Sequence, residues 1–120
     1  MAVAAGKKLA DLADDYLRAH NYTLSDDKKA RKVAGLEFDA LVTDAHGREQ
    51  LVLVAGGFLV DRPGLASIDD VMRVVAHAAV SDHDKPVLVI TAGAPKKTST
   101  PGKVLAKAVA DGLIELVVLG

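Results

Sequence analysis

Three stretches of the chain space their apolar residues as an amphipathic helix does, three and four positions apart. The first runs from Gly6 to Ala19. The second, from Ser67 to Ala79, opens with a capping pair formed by its first residue and Asp70. The third, from Thr100 to Gly112, has its first residue as N-cap and Pro101 in the first turn. The apolar positions are Leu9, Leu12, Ala13, Tyr16 and Leu17, then Ile68, Val71, Met72, Val75 and Ala79, then Val104, Leu105, Ala108 and Val109.

Runs rich in β-branched and apolar residues between these helices predict strands. Leu36 to Thr43 and Gln50 to Ala55 flank a polar turn with Gly47 at its tight position, which predicts an antiparallel hairpin. Val87 to Ile90 and Leu113 to Leu119 predict two further strands. These last two are joined by a helix, so we expect them to be parallel.

The order of elements predicts an α/β fold. A short strand at Tyr22 to Leu24 and a charged, solvated loop at Ser25 to Lys32 precede the hairpin, which makes the order α(β)ββαβαβ. The run Leu51 to Val54 is apolar on both faces, so it belongs in the middle of a covered sheet. We therefore predict a single domain, residues 1–120, with a mixed central sheet flanked by helices.

Composition fits one folded domain and excludes several function classes. Of 120 residues, 50% are hydrophobic, and 15 basic against 16 acidic residues give a formal net charge of −1, so net charge favours no polyanionic partner. The absence of cysteine excludes disulfides, thiolate metal ligands and a cysteine nucleophile. The longest apolar stretch, Leu51 to Val60, covers half of the roughly 20 residues that a membrane helix needs. No signal peptide is recognisable, so we expect a cytoplasmic protein with no membrane partner.

Glu37 and Asp39 are the first candidates for chemistry. They lie two residues apart in a predicted strand, so their side chains share one face. If the strand is buried, as its apolar neighbours suggest, both carboxylates need partners, and a divalent metal or a substrate would supply them. If its first residues are exposed, both acids are simply solvated. The residues alone leave the two interpretations open.

Gly102-Lys103 at a predicted helix start suggests a phosphate-binding loop, but the spacing excludes a Walker motif. That motif requires glycine where this chain has Lys97, and serine or threonine where it has Val104. The three lysines at this point, Lys96, Lys97 and Lys103, could still hold a phosphate at the helix N-terminus.

Segments around the predicted hairpin resemble a known nuclease superfamily. A helix is followed by GLEFDALV at 35–42, then by the hairpin, EQLVLVAGG at 49–57, a helix and a strand. This order resembles the restriction-endonuclease-like, or PD-(D/E)XK, superfamily, including its Mrr-like and Holliday-junction-resolvase-like branches. Members use an aspartate on the first long strand and an acid-x-lysine on the next to hold Mg²⁺ and activate a water. Asp39 matches the first position.

The second half of that motif is degenerate. The resemblance places the expected acid at Leu53 and the expected lysine at Ala55, both of which are apolar. This loss implies a non-catalytic relative with no cofactor, because a metal ligand and the phosphate-stabilising cation are both missing. The alternative is an active Mg²⁺-dependent DNA nuclease with a rearranged site. There Asp39 would bind the metal, and Glu37, Glu49 or Lys32 would replace the missing groups.

Two binding functions follow for an inactive domain. One is nucleic-acid binding, within a DNA-processing or defence assembly, through six basic residues. They are Lys28, Lys29, Arg31, Lys32, Lys96 and Lys97. Against it, Asp26 and Asp27 dilute the first group, which would then be only a solvated loop. The other function is a small homo-oligomeric interaction module. The last strand is strongly apolar with Glu115 as its only charge, so its edge must be paired or covered, and a homodimer is the simplest solution.

Overall fold

A computed structural model describes residues 9–27, 29–33, 35–55, 68–81, 85–91 and 93–119. Within them lie three helices, seven strands and one short 3₁₀ helix. The helices are α1 (Leu9–Ala19), α2 (Ile68–Val80) and α3 (Thr100–Ala110), and the 3₁₀ helix spans Lys29–Arg31. The strands are β1 (Thr23–Leu24), β2 (Lys32–Val33), β3 (Leu36–Glu37), β4 (Ala40–Thr43), β5 (Glu49–Ala55), β6 (Val87–Thr91) and β7 (Ile114–Val118).

Five strands form one mixed sheet in the order β1-β4-β5-β6-β7. The β1–β4 and β4–β5 pairs are antiparallel, and the β5–β6 and β6–β7 pairs are parallel. The predicted hairpin and the predicted parallel pairing of the last two strands are therefore confirmed. Strands β2 and β3 form a separate two-stranded antiparallel ribbon.

Helices cover both faces of the sheet, which confirms the predicted α/β architecture. On one face, α2 and α3 pack on alternate residues of the strands, with Leu51, Leu53 and Val89 in that core. On the other face, α1 packs through Ala13 and Leu17 on a second core. Successive β5 residues enter opposite cores because strand side chains alternate between the two faces. The members of the second core on the sheet are Ala40, Val42, Val52, Leu88 and Ile90.

The single strand expected over Leu36 to Thr43 is wrong, because the chain changes partner near Asp39. The N–H of Phe38 donates to the Arg31 carbonyl at 2.8 Å, so Leu36–Glu37 pairs with the ribbon strand β2 and not with β5. Strand β4 begins only at Ala40. The predicted charged loop is corrected for the same reason, since its last residue, Lys32, lies in β2.

One helix boundary also differs from expectation. The N-cap of α3 is Ser99, not Thr100, because the Ser99 hydroxyl accepts the N–H of Gly102 at 3.2 Å. The expected starts at Gly6 and Ser67 lie outside the described residues. At the C-terminal end of α3 the expectation holds, as Gly112 follows the helix with φ of 78°, a conformation that glycine adopts without strain.

Candidate functional site

Asp39 lies at an irregularity in the β4–β5 ladder. The register places Ala40 opposite Val52, so a regular ladder would bring the Val54 N–H to the carbonyl of residue 38. Instead, Val54 N–H donates to Asp39 Oδ2 at 2.6 Å, and the N–H of Asp39 donates to the Val52 carbonyl at 2.9 Å. The Asp39 carboxylate thus replaces a backbone carbonyl at the start of the hairpin.

Glu37 and Asp39 are both exposed, which is the solvated alternative left open above. Glu37 lies in the β2–β3 ribbon, directly opposite Lys32. Facing side chains of opposite charge attract one another in an antiparallel pair. The structure therefore places Glu37 opposite a cation of the ribbon and gives Asp39 a backbone donor from β5.

The positions that the nuclease resemblance assigns to β5 contribute no ligand. Leu53 is 8% exposed and packs in the core beneath α2 and α3, and Ala55 is the last residue of β5, in register with Thr91. In the described part of the chain, no three His, Asp or Glu residues lie close enough together to hold a metal ion. These residues do not fit a Mg²⁺ site of the kind that the resemblance implies.

The basic segment begins with residue 28, which lies outside the described residues, and continues through the 3₁₀ helix into β2. Lys29 and Lys32 are exposed, whereas Arg31 is half-buried. Asp27 Oδ1 accepts the backbone N–H of Lys29 at 3.0 Å and so begins the 3₁₀ turn. This hydrogen bond orients Asp27 but does not remove the acidic pair, Asp26 and Asp27, from the segment, where both are exposed.

Arg31 is incompletely paired. One terminal nitrogen, Nη2, donates to the Ser25 carbonyl over 3.4 Å, a long hydrogen bond. Its Nε is buried and has no hydrogen-bond partner among the described residues. A guanidinium carries five N–H donors, so this one has donors to offer to a further acceptor.

Lys96, Lys97 and Lys103 are exposed around the start of α3. The helix offers few free donors to a phosphate there, because Ser99 Oγ accepts the Gly102 N–H and Ser99 carbonyl accepts the Lys103 N–H at 2.9 Å. Pro101 has no N–H. A phosphate at this point would therefore depend on the lysine side chains rather than on the helix terminus.

Gly102 allows the loop before α3 to reach the helix. The Ser99 N–H and hydroxyl both donate to the Lys96 carbonyl, which lies where a Cβ at residue 102 would have to be. Any side chain at this position would collide with backbone. Glycine here serves close packing, which explains the Gly-Lys pair without a nucleotide.

Sequence reasoning missed a polar cluster across the opposite end of the sheet, formed by Asp44, Gln50, Lys85 and Glu115. The Gln50 side chain is fully buried, and its Nε2 donates to the Pro86 carbonyl at 2.8 Å and to Glu115 Oε2 at 2.9 Å. Its Oε1 is buried without a hydrogen-bond partner among the described residues. The signal was present in the sequence, since an amide two residues before Val52 must lie on the same inward face.

Lys85 and Asp44 complete this cluster with a half-buried ion pair of 3.1 Å. Asp44 Oδ1 also accepts the backbone N–H groups of Arg48 at 3.0 Å and His46 at 2.8 Å. The Arg48 hydrogen bond, with those from Lys85 and His46, lowers the pKa of Asp44 from 3.8 to about 2 against the opposing effect of burial. Burial alone would lower the pKa of Lys85, but the hydrogen bond to Asp44 and the charges of Tyr22 and Glu115 raise it.

No family model matches this chain, and neither a curated protein nor a solved structure matches it. No described helix is long and apolar enough to cross a membrane. Functional inference therefore depends on the chemistry of the residues described above.

Proposed function

We propose that this chain is a nuclease-like domain that has lost phosphodiesterase activity and binds nucleic acid, as part of a DNA-processing or defence assembly. The observation that carries the proposal is the incompletely paired, half-buried guanidinium of Arg31 between the exposed lysines Lys29 and Lys32. Because Nε is buried, a backbone phosphate would bind the terminal N–H groups of this guanidinium, which make only one long hydrogen bond within the described residues.

The neighbouring lysines add sequence-independent attraction to phosphate. Lys29 and Lys32 are exposed on either side of Arg31, and each would displace a condensed counterion on binding. Lys96 and Lys97 add a second group of phosphate-binding side chains. Glu37 opposite Lys32 limits the patch on one side, so duplex binding is expected to be weak and strongly dependent on salt.

Two contacts support the loss of hydrolysis. The Asp39 carboxylate already accepts the Val54 N–H at 2.6 Å, and the position expected to carry the second acid, Leu53, packs in the core. Without a second carboxylate and the lysine, the chain lacks both the metal ligand and the cation that stabilise a phosphodiester transition state.

Binding is tested with fluorescently labelled duplex DNA titrated at several salt concentrations. Relative to the wild type, Lys29→Gln/Lys32→Gln is expected to reduce the steepness of log K against log salt by about 0.9 for each phosphate that the variant no longer neutralises. Arg31→Lys should weaken binding at every salt concentration, because lysine has a charge but not the forked donors. The matched control is Lys107→Gln, which removes an exposed lysine on α3 that pairs with Asp111. The proposal is overturned if the wild type and the three variants bind with equal affinity, or if binding does not weaken as the salt concentration rises.

Hydrolysis is tested with single-stranded, duplex and branched DNA in Mg²⁺ or Mn²⁺. We expect all three substrates to remain intact. Metal-dependent cleavage that Asp39→Ala abolishes would establish the alternative, an active nuclease with a rearranged site, and Glu37→Gln would then be the next variant. Cleavage that persists unchanged in Asp39→Ala comes from a contaminating nuclease, and a preparation without it must then show intact DNA.

A further inference from the structure

Strand β7 forms one edge of the five-stranded sheet and pairs, within the described part of the chain, with β6 alone. We propose that two copies of this chain associate through this edge, with β7 pairing antiparallel to β7 of the second copy and Leu116 on the two-fold axis. This interface is independent of nucleic-acid binding, because it uses none of the basic residues.

The hydrogen bonds to β6 identify the backbone groups that remain for a second copy. Val87 N–H donates to the Leu113 carbonyl at 3.1 Å, and Leu119 N–H donates to the Thr91 carbonyl at 2.8 Å. Along a parallel strand, alternate residues direct their N–H and C=O groups to the same side. Odd-numbered residues therefore face β6, and the N–H and C=O groups of Ile114, Leu116 and Val118 face outward.

These three residues are complementary to themselves in one antiparallel register. With Leu116 on the axis, Ile114 of each copy faces Val118 of the other, so every outward N–H and C=O group finds a partner. If the axis is shifted by one residue, one of Ile114, Leu116 and Val118 no longer faces another of these three residues in the second copy. Because the outward-facing groups of β7 pair with those of an identical strand, we assign the pairing strand to a second copy of this chain.

Charge favours the same register. In it, Glu115 faces Val117 of the other copy, whereas an axis at Glu115 would place two carboxylates opposite each other, which is destabilising. The Glu115 carboxylate is also engaged within its own sheet, where its Oε2 accepts from Gln50 Nε2 at 2.9 Å. This hydrogen bond comes from a neutral amide and leaves the charge of Glu115 in place, so the carboxylate still disfavours an axis at Glu115.

Within the described residues, strand β7 has little of the usual protection against pairing, since Glu115 is its one charged residue. Lysine, proline and bulges protect natural edge strands, and β7 has the sequence IELVV, with no lysine or proline. Its exposed apolar side chains include Val118, with 52% of its surface exposed, and the preceding Leu113, with 38%. Pairing with a second copy would bring Val118 beside Ile114 of that copy and remove apolar surface from water.

The association is tested by sedimentation equilibrium over a wide range of protein concentration. We expect the wild type to dimerise and Val118→Lys to remain monomeric, because a lysine at the edge opposes pairing. The matched control is Met72→Lys, which places the same charge at a similarly exposed apolar position on α2 and should still dimerise. A monomeric wild type at every concentration, or a Val118→Lys variant that dimerises as the wild type does, overturns the proposal.

The register is tested with single cysteines, since the chain has none of its own. Residues that face each other in a hydrogen-bonded antiparallel pair have Cα atoms about 5.5 Å apart, within disulfide range. Leu116→Cys should therefore give a covalent dimer on mild oxidation. Val118→Cys, whose residue faces Ile114 of the other copy, should not. Faster cross-linking of Val118→Cys than of Leu116→Cys contradicts the register and with it the proposal.

Discussion

Asp39 and Asp44 flank the same strand, β4, and the carboxylates of both accept backbone N–H groups, from strand β5 for Asp39 and from the hairpin turn for Asp44. At the turn, Asp44 accepts from Arg48, from His46 and from the Lys85 side chain. At the other end, Asp39 accepts from Val54. The comparison teaches that an aspartate in the position of a metal ligand can be explained by the hairpin alone, without any metal.

The two ends of the sheet are held together differently. At the turn end, side chains link elements far apart in sequence, as Gln50 does between β5, Pro86 and Glu115. At the Asp39 end, the described contact is local: the backbone of the loop before α3 packs on the first turn of that helix, where the Lys96 carbonyl meets Gly102. The variants below test whether each end depends on the contacts described for it.

The largest effect is expected from Gly102→Ala at the Asp39 end. The new methyl group would collide with the Lys96 carbonyl, and relief requires movement of backbone, so we expect the free energy of unfolding to fall by about 1–3 kcal/mol. Chemical denaturation measures this loss. Lys103→Ala, an exposed change one residue later, should stay within about 0.5 kcal/mol of the wild type. Similar stability of the two variants would show that the loop is not packed on the helix as described.

At the turn end, an equal or smaller effect is expected: Gln50→Ala should destabilise the chain by about 1–3 kcal/mol, because the carbonyl of the half-buried Pro86 loses its side-chain donor. Glu115→Gln retains a side-chain oxygen to accept from Gln50 and should lose much less. Denaturation of both variants separates the two contributions. A larger loss of stability for Glu115→Gln than for Gln50→Ala would show that the contact stabilises the fold through the charge of Glu115.

A smaller effect is expected from Asp39→Ala, which removes the acceptor of the Val54 N–H and should lower the free energy of unfolding by about 1 kcal/mol. Asp39→Asn keeps an oxygen in that position and should recover most of the loss. A metal-binding role predicts otherwise, since both variants would then abolish any stabilisation that added Mg²⁺ produces. Thermal melts with and without Mg²⁺ distinguish the two roles.

Asp44→Asn is expected to lower stability at neutral pH, and its difference from the wild type should shrink in acid. The folded-state pKa of Asp44 is about 2 and its ordinary value is 3.8. Its charged form therefore stabilises the fold above pH about 4, and this contribution disappears as pH falls toward 2, because the unfolded chain takes up the proton first. The variant should lose less stability than the wild type between those pH values. Denaturation curves across that range measure it, and parallel curves would contradict the assignment.

Patterns of apolar residues were sufficient to predict the sheet. The all-apolar run Leu51 to Val54 indicated a covered strand, and that strand enters both cores. Gly47 indicated the hairpin turn and has φ of 80°. Both features are local or depend only on side-chain alternation, so the sequence displays them directly.

The side-chain contacts were not predictable in the same way. The strand break at Asp39 arises because the Phe38 N–H donates to the Arg31 carbonyl and not to a carbonyl of β5. Neither residue type predicts which of these hydrogen bonds forms. The Gln50 to Glu115 contact joins two strands on either side of β6, so it depends on sheet order. The number of hydrogen bonds that the Arg31 side chain makes likewise depends on the packed structure and cannot be inferred from the basic segment alone.

Strand β6, which lies between β5 and β7, is expected to determine when the fold becomes complete. All five of its residues are buried, and its neighbours β5 and β7 lie far from it along the chain, with Val52 opposite Leu88 and Leu88 opposite Glu115. The β4–β5 hairpin closes a short loop, whereas β6 requires the closure of long ones, so it enters the sheet late during folding. Its amides should consequently exchange hydrogen with solvent only through global unfolding, while those of β1 exchange through local opening.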